Sequence, residues 1–309
     1  MRIKIILNPE TGRGRGRKAL PRVREELRRR QVEFDLTLTE GPGHAIQLAR
    51  EAALAGYECV VAVGGDGTVN EVVNGLVAAA QDRGAWENGE PAGLLGVIPI
   101  GSGNDFAFAL GIRANDIPRA CDRIVAGRKR LVDLLHVVDE RPHGLFYCNN
   151  LGAGFDAAVN IQARKLKRVR GFLLYFLAIF RTLAMEYHTP LTRITCEEAE
   201  LHMPIILASA GNGPRTGGGF FMTPNAQIDD GLLDLCVGRA MNRLEILCIL
   251  PSLMRGTHVN KPSVRMIRTT HVLIEAPEGL PVHVDGEVFH TRARRLEIRV
   301  WPQRLWVLA

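Results

Sequence analysis

Cys59-Val60-Val61-Ala62-Val63-Gly64-Gly65-Asp66-Gly67-Thr68-Val69-Asn70-Glu71 decides how the rest of the chain is read. Its opening residues form a short all-apolar run that ends in glycine, the pattern of a strand buried on both faces of a parallel sheet. Its closing residues begin a helix. The glycines between allow positive φ and let backbone N–H groups approach a ligand with no Cβ in the way. A helix N-terminus adds unpaired donors and a partial positive charge, which together favour phosphate. Thr68 is expected to cap that helix, and Asp66 to serve a phosphate-bound cation.

Upstream, residues 2–8 read as a β-branched strand ending in Asn8-Pro9, followed by a helix over about 17–30 and a strand over 33–38. Gly41-Pro42-Gly43 then precedes a helix from about His44 to Ala55. Downstream, Leu94 to Ile98 is another buried strand, followed by Pro99-Ile100-Gly101-Ser102-Gly103-Asn104-Asp105-Phe106-Ala107. Strand and helix alternating with short turns predict an α/β domain over residues 1–130. Two glycine turns at the carboxyl ends of strands in such a sheet would face a common crevice, where open sheets bind ligands.

From about Leu131 strands dominate, at 132–138, 145–149, 191–196, 205–210, 232–237, 270–276, 280–284 and 296–300. One helical segment over about Ala163 to Glu186 and another over about Asn242 to Met254 interrupt them. A second, mainly antiparallel β domain over 131–290 is the economical reading.

Composition bounds the partners. The chain has 309 residues, 46% hydrophobic and 23% charged, with a formal charge of 39 − 33 = +6. A modest basic excess suits nucleotide phosphates, an acidic membrane face or nucleic acid. The basic residues lack interleaved aromatics and match no helix-turn-helix or finger pattern, so nucleic acid is not expected. Cys59, Cys121, Cys148, Cys196, Cys236 and Cys248 are scattered with no CxxC pair, as in a reducing cytosol. The longest greasy run, Phe172 to Phe180, ends at Arg181, well short of the ~20 residues needed to cross a bilayer. The N-terminus reads as a strand, not a signal segment, and a cytoplasmic location follows as the expectation.

Several motifs are ruled out. There is no GxxxxGK[ST] and no HExxH. Gly12-Arg13-Gly14-Arg15-Gly16-Arg17-Lys18 spaces its glycines as GxGxG, with Arg17 where the dinucleotide fingerprint needs its third glycine. Its arginines suit a phosphate-facing loop instead.

Taken in order, Asn8-Pro9 with the glycine-rich loop, GGDGTVNEV (64–72), PIGSGNDFA (99–107), Gly152-Ala153-Gly154-Phe155-Asp156, the run from Pro224 to Asp234, and Asp285-Gly286-Glu287 make the chain resemble the diacylglycerol-kinase-type lipid kinases. The likeness is to their bacterial soluble branch, and it covers nearly the whole chain. It implies an NAD-kinase/phosphofructokinase-like α/β domain with a Rossmann-like parallel sheet, then a β-sandwich, with residues 290–309 returning to the first domain. It implies ATP between the domains, lined by Asn8, Thr39, Gly64, Gly65, Asp66, Gly67, Thr68, Val69, Asn70, Glu71, Gly101, Ser102, Asn104 and Asp105. Ser102 stands where the family usually has threonine, which keeps the hydroxyl. A structural Mg²⁺ is implied at the Gln227 and Leu232 carbonyls and the Asp230 carboxylate, an oxygen-only set suited to a hard cation.

The resemblance makes Glu287 the general base, with Asp285 as its orienting partner or a metal contact. Asp66 is the rival, because related eukaryotic lipid kinases give that role to the GGDG aspartate; it is favoured here for metal and phosphate contact. Without the resemblance, Asp285-Gly286 is a hairpin-turn signal, and His283, beside the proposed base, is read as a plain histidine of the β domain before an assistant to that base. The implied reaction is ATP-dependent phosphorylation of a lipid hydroxyl, diacylglycerol before phosphatidylglycerol, a sphingoid base or a polyprenol. An NAD kinase shares GGDG and the fold, but Asn70-Glu71 and GSGNDFA match the lipid branch. A non-catalytic binding protein would show a broken motif. The basic stretch Arg164 to Arg170 running into Phe172–Phe180 suits an interfacial segment on the anionic inner face of the membrane. The apolar run serves equally as an acyl pocket or a homodimer contact.

Overall fold

A computed structural model describes residues 1–141, 144–166 and 172–309. The alternating first part forms β1 (Ile3–Leu7), α1 (Thr11–Arg29), β2 (Phe34–Leu38), α2 (His44–Leu54), β3 (Cys59–Gly64), α3 (Asp66–Asp82), β4 (Leu94–Pro99), α4 (Asp105–Ala109) and α5 (Ile117–Ala126). β2, β1, β3 and β4 pair parallel in that order. Every residue of β3 and β4 is buried, which is why neither run alternates polar and apolar residues.

These elements belong to a first unit made of Met1–Leu134, Ile228–Asp230 and Trp301–Ala309. The boundary thus falls after Leu134, where the sequence suggested 130, and the returning segment begins at Trp301, where it suggested 290. The short insert is held because Asp133 N–H donates to Ile228 O at 2.7 Å and Arg130 pairs with Asp229 at 2.7 Å. The C-terminal residues are fixed by parallel pairing of Trp306 and Val307 with Leu94 and Leu95. Arg304 adds to this, its guanidinium 4.5 Å from the Trp86 ring centre and 5.2 Å from that of Trp301.

The helix at the first glycine turn starts at Asp66, and its N-cap, Gly65, has no side-chain cap. The expected capping by Thr68 is therefore corrected. Thr68 lies buried inside the first turn, and its Oγ1 accepts from Asn8 Nδ2 at 3.2 Å.

The second unit comprises Leu135–Gln227 and Gly231–Val300. After β5 (Lys129–Val138), which begins in the first unit, come β6 (Leu145–Tyr147), β7 (Asn150–Gly154), α6 (Phe155–Lys165), α7 (Phe172–Met185), β8 (Leu191–Cys196), β9 (Ala199–Gly211), β10 (Leu233–Arg239), α8 (Arg243–Arg255), β11 (Val264–Thr269), β12 (His271–Val284) and β13 (Glu287–Leu308). β11, β10, β9, β7, β12 and the start of β13 pair antiparallel in that order, and β8 joins β9 and β12. One sheet face carries the apolar core, with Leu151, Ala153, Ala208, Leu235, Val282 and Val284 fully or nearly fully buried. Opposite one another on the other face stand His283, Gly152, Ser209 and Cys236, a small and polar row.

The single helix expected over 163–186 is two helices. Gly154, at φ 100 and ψ −131, takes a backbone conformation open to glycine and starts α6 at Phe155. The strands expected at 270–276 and 280–284 are one strand, β12, whose register against β13 shifts between Glu275 and Leu280. Residues 167–171 of the expected interfacial segment lie outside the described residues. Among the described residues no helix is long and apolar enough to cross a membrane.

Candidate active site

Three loops meet at the carboxyl ends of β1, β3 and β4 in the first unit. Gly64 O accepts the N–H groups of Ile100 and Gly101 at 2.9 and 3.1 Å, tying the two glycine turns together. Their backbones nearly touch: a Cβ on Gly101 would lie 2.3 Å from Gly65 Cα. A Cβ on Gly65 would stand 3.5 Å from Thr11 Oγ1, which brings in the third loop. That loop carries Gly12, Arg13 and Gly14, all at positive φ, and its Arg15 donates to Ser102 Oγ at 2.9 Å. Asn8 holds the start of the loop, its Oδ1 accepting from Glu10 N–H at 3.0 Å. The result is a floor of glycine backbone rimmed by hydroxyls and one guanidinium.

Asp66 reaches across this floor. Its Oδ1 accepts from Asp105 N–H at 2.7 Å and Phe106 N–H at 3.2 Å. A Cβ on Gly103 would lie 2.7 Å from Asp66 Oδ2 and 3.1 Å from Asp105 Oδ2, so the two carboxylates flank a position only glycine leaves open. Asn104, at φ 54, exchanges hydrogen bonds with the Gly101 backbone at 2.9 Å each way. Glu71 faces elsewhere: its two oxygens accept from Gly43 N–H at 2.9 Å and Ala45 N–H at 3.1 Å, fixing the start of α2. Thr39 is buried, with its N–H on Leu7 O at 2.9 Å, and Asn70 is buried within α3 beside Asn74. Thr39, Asn70 and Glu71 thus shape the frame behind the cradle.

In the second unit Asp285-Gly286 is the turn between β12 and β13, with φ 47 and 81. The hairpin reading and the site reading are therefore compatible. Asp285 is buried and exchanges hydrogen bonds with the Asn150 backbone at 2.9 Å in both directions. Burial, and then the Asp285 charge, push the Tyr147 phenol well above its ordinary 10. Glu287 is exposed and paired with Arg164 of α6. Asn160 Nδ2 and Arg164 Nη2 both donate to Gly286 O, at 2.9 and 3.0 Å. His283 is buried with its Nε2 3.5 Å from Asp156 Oδ2. The contact exists because Gly152 stands beneath it, where a Cβ would lie 1.9 Å from that oxygen.

Sequence reasoning placed Arg15 in a phosphate-facing loop but missed Asn160, the pairing of Arg164 with Glu287 and the Asp156–His283 pair. Asp156 sat in a quoted motif, and the spacing of Asn160 and Arg164 on one helix face was a usable signal. The proposed Mg²⁺ set divides between the units, with Asp230 in the first and Gln227 and Leu232 in the second. Asp139, Glu140 and His290 also gather within 4.8 Å. Asp139 takes hydrogen bonds from Arg141 at 2.8 to 3.0 Å, Glu140 takes the Arg294 and Arg295 N–H groups, and His290 Nδ1 takes Arg292 N–H. These side chains serve the protein's own donors.

α7 and α8 enclose an apolar groove of about 250 Å³, lined by Phe176, Ile179, Phe180, Phe220, Leu247 and Leu250 among others. Phe176 and Phe180 meet edge to face at 4.8 Å, and each is about two-fifths exposed. Arg181 and Arg255, both exposed, stand next in sequence to the groove's Phe180 and Met254.

Paired glycine turns on a parallel sheet, with an antiparallel β unit carrying an acidic turn, define a class of α/β proteins with a β-sandwich companion. Residues 2–137 match the diacylglycerol kinase catalytic domain, and residues 149–309 match the YegS C-terminal NAD kinase beta sandwich-like domain. The chain belongs to the bacterial soluble diacylglycerol kinase/YegS family. It is 32% identical over 294 residues to a diacylglycerol kinase of Bacillus subtilis, covering 93% of this chain and 89% of that one. It is 34% identical over 296 residues to a Chromohalobacter salexigens protein named "Probable lipid kinase YegS-like", covering 94% and 88%. A crystal structure of a diacylglycerol kinase from Bacillus anthracis strain Sterne shares the fold, with a TM-score of 0.72 at 22% identity, covering 99% of this chain and 96% of that one.

Proposed function

We propose that the protein transfers the γ-phosphoryl group of ATP to a lipid hydroxyl, with diacylglycerol as acceptor and phosphatidic acid as product. The observation that carries the lipid half is the apolar groove between α7 and α8 with its exposed phenylalanines. Neighbouring Arg181 and Arg255 suit an anionic lipid surface, so the protein would work as a peripheral enzyme on the inner face of the membrane.

Phosphoryl transfer asks the protein for positioning, charge neutralisation and a proton acceptor. The backbone N–H groups at the start of α3, around Gly65–Thr68, would grip the phosphates, with Arg15 and Ser102 closing over them. Asp66 and Asp105, both beside Gly103, would offer hard carboxylate oxygens to a Mg²⁺ ion travelling with ATP. Bound there, the ion would neutralise charge on the phosphates. Asp230, with Gln227 and Leu232, remains the proposed second, structural Mg²⁺ set. Glu287 would take the proton of the attacking hydroxyl as the new O–P bond forms and ADP leaves, while buried Asp285 orients the turn.

Incubation with γ-labelled ATP and vesicles carrying diacylglycerol, phosphatidylglycerol, a sphingoid base or a polyprenol tests the reading, with NAD as a parallel acceptor. Label in phosphatidic acid is expected. Label in NAD alone would refute it.

A further inference from the structure

α6 is fastened along one polar face. Asn160 and Arg164 both donate to Gly286 O, Arg164 Nε donates to Asn160 Oδ1 at 3.2 Å, and the Arg164 guanidinium pairs with Glu287. On the side of α7, Gln162 donates to Glu186, and Lys165 Nζ lies 3.8 Å from the same carboxylate. One helix therefore joins the acidic turn to a wall of the apolar groove.

The turn itself does not fix Glu287. Asp285 and Gly286 set the backbone by their left-handed φ values, but the glutamate side chain is 61% exposed. A long exposed side chain samples several rotamers unless something holds it. Asn160 already secures the Gly286 carbonyl, so what Arg164 adds is a grip on the carboxylate. Both members of the pair are substantially exposed, 47% and 61%, and exposed ion pairs contribute little to stability. The pair's consequence lies in where it places the oxygens.

We propose that Arg164 is a positioning residue for phosphoryl transfer, holding the Glu287 carboxylate in the one rotamer from which it accepts the hydroxyl proton. The proposal rests on the assignment of Glu287 as base. It assigns Arg164 no contact with ATP, so its effect falls on turnover and spares nucleotide binding. Lysine restores the charge but not the planar fork.

The test compares full-length Arg164→Met, Arg164→Lys and Asn160→Ala with wild type, using labelled ATP and diacylglycerol vesicles. Arg164→Met is expected to lose kcat on the order of tenfold to a hundredfold, with KM for ATP and the melting temperature unmoved. Arg164→Lys should recover part of that loss, and added methylguanidinium should recover part of it in Arg164→Met. Unchanged kcat in Arg164→Met overturns the proposal. So does an equal loss in Asn160→Ala accompanied by a lower melting temperature, which would mark a merely structural clamp. A wild-type protein that labels no lipid removes the kinase reading, and the proposal with it. Labelled lipid with undiminished kcat in Arg164→Met removes the proposal alone.

Discussion

Asp66 Oδ1 accepts the Asp105 N–H at 2.7 Å, so the carboxylate of the first glycine turn holds the residues that follow the second. Two roles were open for Asp66 from sequence, proton acceptor or metal and phosphate contact, and this bond adds a third that is purely architectural. Asp66→Ala removes the acceptor and should cost about 0.5–2 kcal/mol, the usual loss when a side chain stops capping backbone N–H groups. Asp66→Asn keeps an acceptor oxygen and should melt as wild type does. If the carboxylate contacts Mg²⁺ and phosphate, Asp66→Asn binds Mg-ATP more weakly by calorimetry, which is the expected result. Wild-type affinity combined with no turnover would make Asp66 the base.

The glycines of the cradle differ in what opposes them, and this gives a sharper test than loss of function alone. A Cβ on Gly64 would meet the Thr68 side chain, at 2.4 Å from Oγ1 and 2.5 Å from Cβ. A Cβ on Gly101 would meet the Gly65 backbone. Gly64→Ala should therefore cost about 1–3 kcal/mol of stability, and Thr68→Gly in the same chain should return part of it. No side-chain replacement should rescue Gly101→Ala. Denaturant midpoints of the singles and the double variant decide the matter. Equal rescue at both positions would mean that the turns can move apart.

How much of this was legible follows from how local each signal is. β3 and its glycine turn were readable because a buried strand and a helix start are written in consecutive residues, although the positive φ that the glycines allow goes unused and Gly65 sits at φ −102. The motif order from Asn8 to Glu287 carried the family. α6 was misplaced because its start depends on Gly154, at φ 100, where a Cβ would also lie 2.6 Å from Ile206 O. Thr68 was misread as a cap because its partner, Asn8 Nδ2, comes from a distant loop. Arg164 looked like one more cation in a basic stretch. Only the hairpin brought Glu287 to it, across 123 residues of chain.

The exposure of Glu287 separates chemistry from stability. Glu287→Gln should lower kcat by on the order of 10² to 10⁴, the range for loss of a positioned proton acceptor, while the melting temperature stays unchanged. A variant with full turnover would return the role of base to Asp66.

The groove between α7 and α8 makes a prediction about which substrate suffers. Phe180→Glu places a charge on an apolar wall at a residue that is 42% exposed, so the fold should tolerate it. KM for vesicle-presented diacylglycerol should rise several-fold while KM for ATP holds. Phe180→Leu keeps the wall apolar and should behave as wild type does. If both variants bind and phosphorylate lipid normally, the acyl chain does not lie in this groove.

Asp139 predicts how the second unit responds to acid. Burial alone would raise its carboxyl, but the Arg141 hydrogen bonds and guanidinium charge outweigh burial and hold it below the ordinary 3.8. Glu140, likewise opposed by burial but favoured by backbone N–H groups that include those of Arg294 and Arg295, sits below its ordinary 4.5. A carboxyl whose folded pKa is depressed binds protons more readily in the unfolded chain, so stability falls with pH. Its contribution is complete above the unfolded value and disappears as pH drops through the folded one. Wild-type protein should therefore lose stability progressively below about pH 5. Asp139→Asn should be less stable at pH 7, by about 1 kcal/mol given the half-exposed Arg141, and its denaturant midpoint should fall less steeply between pH 5 and pH 2. Acid profiles that run parallel in the two proteins would show that the Arg141 pairing adds nothing to the fold.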